Sequence, residues 1–281
     1  MYYPRGQVQA DYNKIHDNKT AQNTSGWTYV MYIYRPNRNS ANSVSYNEIK
    51  DNRWGYYSYD LYTYYFEGKV NNNVIMNNYL EKSSGTPYGY QYTMQNYYFY
   101  NLQVNNNVII DNPGYYGSYP MYNYSFNSGG YKLEVRDNTV KLDGDKDKNN
   151  YQYNYNYLYV YPYYHNKIAV TGNSFDFRNV YYAYIYTYNR NGTTPYDVWD
   201  YNNYWFKSVG TSYFYGPGGN AYNVRNWMNT GLPGDHETGH MPIYKDEAND
   251  DYRITVFELQ NKVPLFDNHN PQFGYSQNTI D

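Results

Sequence analysis

The chain's densest chemical feature is a row of phenols. Between residues 151 and 163 every second residue is tyrosine, interleaved with Gln152, Asn154, Asn156, Leu158, Val160 and Pro162. In an extended chain successive side chains point to opposite sides, so Tyr151, Tyr153, Tyr155, Tyr157, Tyr159, Tyr161 and Tyr163 share one face. A phenol has a flat apolar ring and a hydroxyl that both donates and accepts. Such a row can stack on sugar rings while neighbouring amides supply hydrogen bonds, or it can pack between layers or subunits with its hydroxyls at the rim. Tyr153, Tyr155, Tyr157, Tyr159 and Tyr161, with Tyr184 and Tyr186 of the next tyrosine strand, are the candidate carbohydrate contacts. At about 3.3 Å per residue the run spans roughly 40 Å. As one side of a coil that is too long, so the expectation is a bend or a projecting hairpin.

Three other constellations bear on chemistry. Asp143, Asp145, Asp147 and Asn149 alternate as oxygen ligands do in the first half of a calcium loop. Lys148 stands where an EF-hand needs glycine, and Asn154 where it needs the closing glutamate, so a solvated turn ranks ahead of a calcium site. His236-Glu237-Thr238-Gly239-His240 matches His-Glu-x-x-His, in which a helix sets two imidazoles one turn apart around zinc. Pro233 and Gly234 before it and Pro242 after it leave little room for that helix, which favours a surface loop. Polysaccharide cleavage needs paired carboxylates or a base with a cationic partner. Asp60, Glu67, Asp111, Asp143 and Arg136 are available, but no spacing singles out a pair, so the reading leans away from an enzyme.

Composition narrows the classes further. The chain carries 48 Tyr and 42 Asn against 11 Ile and 13 Lys, a bias that AT-rich codons alone would not produce. Net charge is -3 with both signs scattered, which gives no electrostatic footprint for nucleic acid. Without cysteine there is neither a disulfide framework nor a thiolate metal site. No stretch reaches the roughly eighteen apolar residues of a membrane span, and Met1-Tyr-Tyr-Pro-Arg5 lacks a signal-peptide core. A protein of this kind working outside the cell would leave by lysis, by another export route or after processing.

The elements that must position these residues are legible as a repeat. Asn-x-Ile/Val occurs at Asn13, Asn47, Asn73, Asn107, Asn138 and Asn166, with spacings of 34, 26, 34, 31 and 28 residues. A fixed period of this size is the mark of a solenoid. In the first four copies Asn, Ile and the following Asp or Asn fall at i, i+2 and i+4, which places them on one strand face with the Ile inward. Copies three and four carry Val74, Met76, Val108 and Ile110 at the outward positions, so a loop or a neighbouring subunit is expected to cover them. Copy five slips by one residue at Leu142-Asp143. Tyrosine-rich strands lie between the copies, near 28–34, 56–66, 88–100, 115–126, 151–163 and 181–188, each unit reading as a tyrosine strand, a turn and an Asn-x-Ile strand. The rhythm weakens from Asn189, which divides the chain into a solenoid over 1–188 and a less regular capping or assembly region over 189–281. A late echo stands at Asn261-Lys-Val263.

The Asn-x-Ile repeats over residues 10 to 175 resemble the right-handed parallel β-helix family, which includes pectate-lyase-like enzymes and phage tailspikes. The resemblance implies asparagine amides stacked at turns from coil to coil. Coils of 26 to 34 residues and the tyrosine excess depart from the family's usual pattern. The expectation is therefore an all-β, elongated parallel β-helix that binds polysaccharide outside the cell or on a virion surface. It needs no cofactor beyond the possible calcium, and it is expected to be a homo-oligomer. A structural subunit of a fibre, coat or tail is the second reading, and a polysaccharide lyase or hydrolase the third.

Overall fold

A computed structural model shows an all-β parallel solenoid. It describes residues 6–20, 26–80, 89–114, 116–127, 129–143, 155–162, 165, 167–180, 182–187, 198–207, 211–216, 219–221, 227, 229, 237, 239, 241–249 and 251–254.

Three parallel sheets form the sides. The asparagine sheet contains β1 (Lys14–His16), β3 (Glu48–Lys50), β7 (Val74–Met76), β11 (Val108–Ile110), β14 (Thr139–Asp143), β17 (Ser174–Arg178) and β20 (Asn203–Lys207). The tyrosine sheet contains β2 (Trp27–Tyr34), β5 (Tyr57–Tyr64), β9 (Tyr90–Tyr97), β12 (Gly117–Ser125), β15 (Tyr155–Pro162), β18 (Tyr182–Thr187) and β21 (Thr211–Gly216), with β22 (Gly219–Ala221) added antiparallel at its end. The third sheet contains β6 (Gly68–Lys69), β10 (Leu102–Asn105), β13 (Lys132–Arg136), β16 (Lys167–Thr171) and β19 (Val198–Asp200). A short parallel pair, β4 (Arg53–Trp54) and β8 (Tyr79–Leu80), and an antiparallel hairpin of β23 (Tyr244–Asp246) and β24 (Asp251–Ile254) complete the strands described. The coil strands β19 to β21 continue beyond Asn189, where the sequence rhythm weakens.

The third sheet corrects the two-strand unit read from the sequence. Its strands are short and their inward pairs, Leu102 and Val104 or Leu133 and Val135, are too brief to show a period. It also claims the sixth Asn-x-Ile copy, because Lys167–Thr171 pairs with Lys132–Arg136 and not with the asparagine sheet. The true sixth and seventh rungs are Asn173-Ser-Phe175 and Asn202-Asn-Tyr204, where an aromatic residue replaces Ile at the inward position.

The strand face drawn from the sequence is also shorter than expected. In the first four copies the asparagine strand has three residues and lies between two left-handed corners. Tyr12 and Asp17, Tyr46 and Asp51, Asn72 and Asn77, and Asn106 and Asp111 all have φ between 46° and 62°. The Asp or Asn at i+4 is therefore the corner residue. Asn and Asp reach this conformation at low cost, which explains their recurrence there. From copy five the strand lengthens to five residues, so that Leu142 also points inward, and this is the origin of the one-residue slip.

Each asparagine before a strand is a rung. The Oδ1 of Asn47 accepts from both the backbone N–H and the Nδ2 of Asn13, at 3.0 and 2.8 Å, and the same double contact repeats to Asn73, Asn107, Asn138, Asn173 and Asn202. Each Nδ2 from Asn47 onward also donates to a backbone carbonyl of the preceding coil, for example Asn107 to Val70 at 2.8 Å. A second ladder runs through Asn18, Asn52, Asn78 and Asn112. These amides are fully buried from the second rung on, and only complete pairing makes that burial tolerable.

Inside, columns of one residue per coil fill the space between the sheets: Ile49, Ile75, Ile109, Val140 and Phe175 from the asparagine sheet, and Leu61, Met94, Met121, Leu158 and Ile185 from the tyrosine sheet. Each such burial contributes about 1.5–3 kcal/mol. Val74, Met76, Val108 and Ile110, the outward apolar residues of copies three and four, are 0–3 % exposed within the single chain, so the chain itself covers them. On the same sheet the β23–β24 hairpin is anchored by Tyr244 Oη to Asp176 at 2.9 Å, Arg178 to the Pro242 carbonyl at 2.9 Å and Lys141 to Glu247 at 2.9 Å.

Replacing Asn107 with Ala removes an acceptor for two N–H donors of Asn73 and a donor to Val70 and Asn138. At about 1–3 kcal/mol per stranded buried group, a loss above about 3 kcal/mol is expected in chemical denaturation. Asn13→Ala, at the exposed first rung, is expected to cost less than about 1 kcal/mol by the same measurement.

Candidate functional site: the tyrosine face

Parallel pairing in register sets the geometry of this face. Neighbouring strands lie about 4.8 Å apart, so side chains at matching positions stand one above another at stacking distance. Tyr29, Tyr59, Tyr92, Tyr119, Tyr157, Tyr184 and Tyr213 form an unbroken column, with ring centroids 4.7, 4.7, 4.4, 4.9, 5.1 and 5.6 Å apart and planes within 19°. A second column joins Tyr122, Tyr159, Tyr186 and Tyr215 at 4.6 to 4.7 Å and, nearer the N-terminus, Tyr32 and Tyr62 at 5.0 Å. Gln95 stands between those two halves, in register with both Tyr62 and Tyr122. A third runs through Tyr34, Tyr64, Tyr97, Tyr124 and Tyr161 at 5.1 to 5.8 Å. Each stacked pair adds about 0.5–1.5 kcal/mol beyond area burial.

The same stacking decides what the face offers. Within a column both ring faces are occupied by neighbours, so ring edges and hydroxyls remain for a ligand. The most exposed rings of this sheet are at the first coil, where Trp27 is 64 %, Tyr32 44 % and Tyr29 37 % exposed. Among the described residues, the outward positions of this sheet carry no charged side chain. Burial, reinforced by the proximity of other phenols, pushes Tyr32 and Tyr90 up to about 12, and burial with Tyr57 nearby does the same for Tyr92. Tyr119, Tyr122, Tyr157 and Tyr159 are raised further for the same reasons. Arg35 and Arg38 lie at one margin, over Tyr65 at 4.5 Å and Tyr100 at 4.1 Å, and Arg38 also pairs with Glu67 at 3.1 Å.

The interior side of the sheet is partly polar. Asp60 is fully buried and accepts from Trp54 Nε1 at 3.0 Å and Gln91 Nε2 at 2.7 Å, while Thr63, Asn96 and Asn123 form a chain of 2.6 and 2.7 Å bonds. These residues fix the strands that carry the rings. Burial pushes the Asp60 carboxyl up to about 7 against the opposing hydrogen bonds.

Of the residues singled out in the sequence, Tyr155, Tyr157, Tyr159, Tyr161, Tyr184 and Tyr186 lie together on this face. Tyr153, Asp145 and Asp147 lie outside the described residues, as do His236, His240 and Asn261. Over its described length the 151–163 run is an ordinary coil strand, Tyr155–Pro162, paired with β12 and β18, and not a bend or a hairpin. The earlier half of the face lacks strict alternation. In β5 two buried residues, Asp60 and Leu61, separate Tyr59 from Tyr62, and the register shift between Ser118 and Met121 marks where this wider spacing gives way to strict alternation.

Of the remaining candidates, the structure places Asp143 and Glu237 as follows. Asp143 accepts from Asn179 Nδ2 at 3.1 Å and donates its backbone N–H to Asp111, and no group of three metal-binding side chains is present among the described residues. The Glu237 side chain is buried. It is 6 % exposed and its Oε1 accepts from Asn202 Nδ2 at 3.0 Å, in the place the next asparagine rung would take. Burial pushes its carboxyl up to about 8, against hydrogen bonds from Asn202 and Tyr204. No helix among the described residues is long and apolar enough to cross a membrane.

Compared with protein-family models, curated proteins and solved structures, the chain matches none.

Asp60 and Glu237 have folded-state values above those of an unfolded chain, so the folded state binds their protons more tightly. Their contribution is full below about pH 4 and is lost as pH rises through about 7 and 8. Melting temperature is expected to fall between pH 5 and pH 8.5, and D60N with E237Q to flatten that fall. A double variant with the wild-type pH slope would contradict the assignment.

Proposed function

We propose that this chain binds polysaccharide through its tyrosine face, outside the cell or on a virus particle. The observation that carries this reading is the uncharged array of phenol hydroxyls and ring edges, repeated in register along the solenoid. Sugars present alternating hydroxyls and C–H patches, which such an array matches with hydrogen bonds and apolar edges. The exposed ring of Trp27, with the part-exposed Tyr29 and Tyr32, adds apolar surface for a sugar at the first coil. A right-handed winding is part of the proposal and follows the general preference of parallel crossovers. Binding is preferred over cleavage because the outward positions of this sheet, among the described residues, bear no carboxylate.

A second reading, a subunit of a fibre, coat or tail, is favoured by one observation. The first coil exposes Tyr12 (74 %), Trp27, Tyr29 and Tyr32, a surface suited to a neighbouring subunit. A protein that remains monomeric in sedimentation velocity at high concentration would remove this reading.

For the binding reading, Tyr157→Phe, Tyr159→Phe and Tyr186→Phe together keep the ring stacks and delete three hydroxyls. Affinity electrophoresis in glycan-containing gels is expected to show at least a tenfold loss of retention, with the melting temperature within a few degrees of wild type. Unchanged retention would move the site elsewhere.

A further inference from the structure

We infer that the glycan taken by the tyrosine face is an uncharged, extended chain lying along the solenoid axis, one sugar unit per coil. This rests on the carbohydrate reading above and narrows it to a ligand class and a direction.

The direction follows from where the surface repeats. Along β5 the outward tyrosines are unevenly spaced, two positions from Tyr57 to Tyr59 but three from Tyr59 to Tyr62, whereas along β15 they stand two positions apart. A ligand lying along a strand would therefore meet an uneven step on β5 and, on β15, a two-residue step of about 6.6 Å. From strand to strand the same ring recurs at 4.4 to 5.6 Å through seven strands. A pyranose unit linked through equatorial positions at its first and fourth carbons advances by close to one such inter-strand step of about 4.8 Å. Successive units in such a chain are turned by about half a revolution, so a chain laid along the axis meets one unit per coil and repeats a set of contacts at every second coil, and each added unit binds as an intramolecular event at high effective concentration.

The charge class follows from what is missing at the outward positions. A carboxylated or sulfated sugar would lose hydration over phenols that offer hydroxyl donors but no cation. Arg35 and Arg38, the cations at the margin, already rest on tyrosine rings, and Arg38 is paired with Glu67. Gln95, the amide interrupting the second column, keeps the face neutral where it breaks the aromatic rhythm.

The test is affinity electrophoresis of the full chain in gels containing hydroxyethylcellulose, glucomannan, polygalacturonate or alginate at low salt, followed by calorimetry with β-1,4-linked oligosaccharides of two to seven units. Retardation by the neutral gels alone is expected, with affinity rising two- to fivefold per added unit up to at least six. Retardation by polygalacturonate or alginate alone, or an affinity that stops rising at two units, overturns this inference and leaves carbohydrate binding standing. Absence of retardation in every gel, and of heat with every oligosaccharide, overturns both.

Discussion

Register is the constraint on which the rest of this molecule depends, and buried asparagine amides enforce it. A rung such as Asn107 is fully buried and is satisfied only when the rungs of the coils on either side stand directly over and under it. A slip of one residue would strand several amide groups in an apolar interior. Hydrophobic burial alone would not give this precision, because Ile, Val and Phe interchange along the interior columns with little change in character. The amides choose the alignment and the apolar side chains supply most of the stabilisation.

The tyrosine columns are a product of that alignment. Isolated phenols on a twisted, sheared sheet would meet at varied distances, but here each strand delivers its ring to the same place. Ring–ring contacts of 4.4 to 4.9 Å at the centre of the face restate the strand spacing in side chains. The arrangement also changes the character of tyrosine as a binding residue. The rings spend their faces on one another and turn outward their edges and hydroxyls.

How much of this was legible in the sequence depended on whether a feature repeats locally. The Asn-x-Ile rungs and the tyrosine strands recur with a period and identify an all-β parallel solenoid. The third sheet did not show, because Leu102-x-Val104 and its equivalents are too short to separate from chance. The rungs at Asn173 and Asn202 were hidden by Phe175 and Tyr204 in place of Ile, and Asn166 mimicked a rung from the wrong sheet. For the face, strict alternation exposed Tyr155 to Tyr161 at once, whereas Tyr59 and Tyr62 looked out of phase because two inward residues lie between them. Glu237 was recognisable only as part of a zinc-like string, since the partner that explains it, Asn202, lies 35 residues earlier.

The rungs also share a direction. Every Oδ1 from Asn47 onward accepts from the preceding rung, and each rung up to Asn173 gives its backbone N–H and an Nδ2 hydrogen to the following one, while from Asn47 onward Nδ2 also donates back to a carbonyl of the preceding coil. Seven carboxamide dipoles are thereby aligned head to tail, giving the solenoid an electrical polarity of the kind a helix derives from its peptide units. Its negative pole lies at Asn13 and its positive pole at Asn202. The group that terminates the positive pole is the carboxyl of Glu237, an acceptor with no amide to pass the chain of donors on, which gives the column an end as well as a direction.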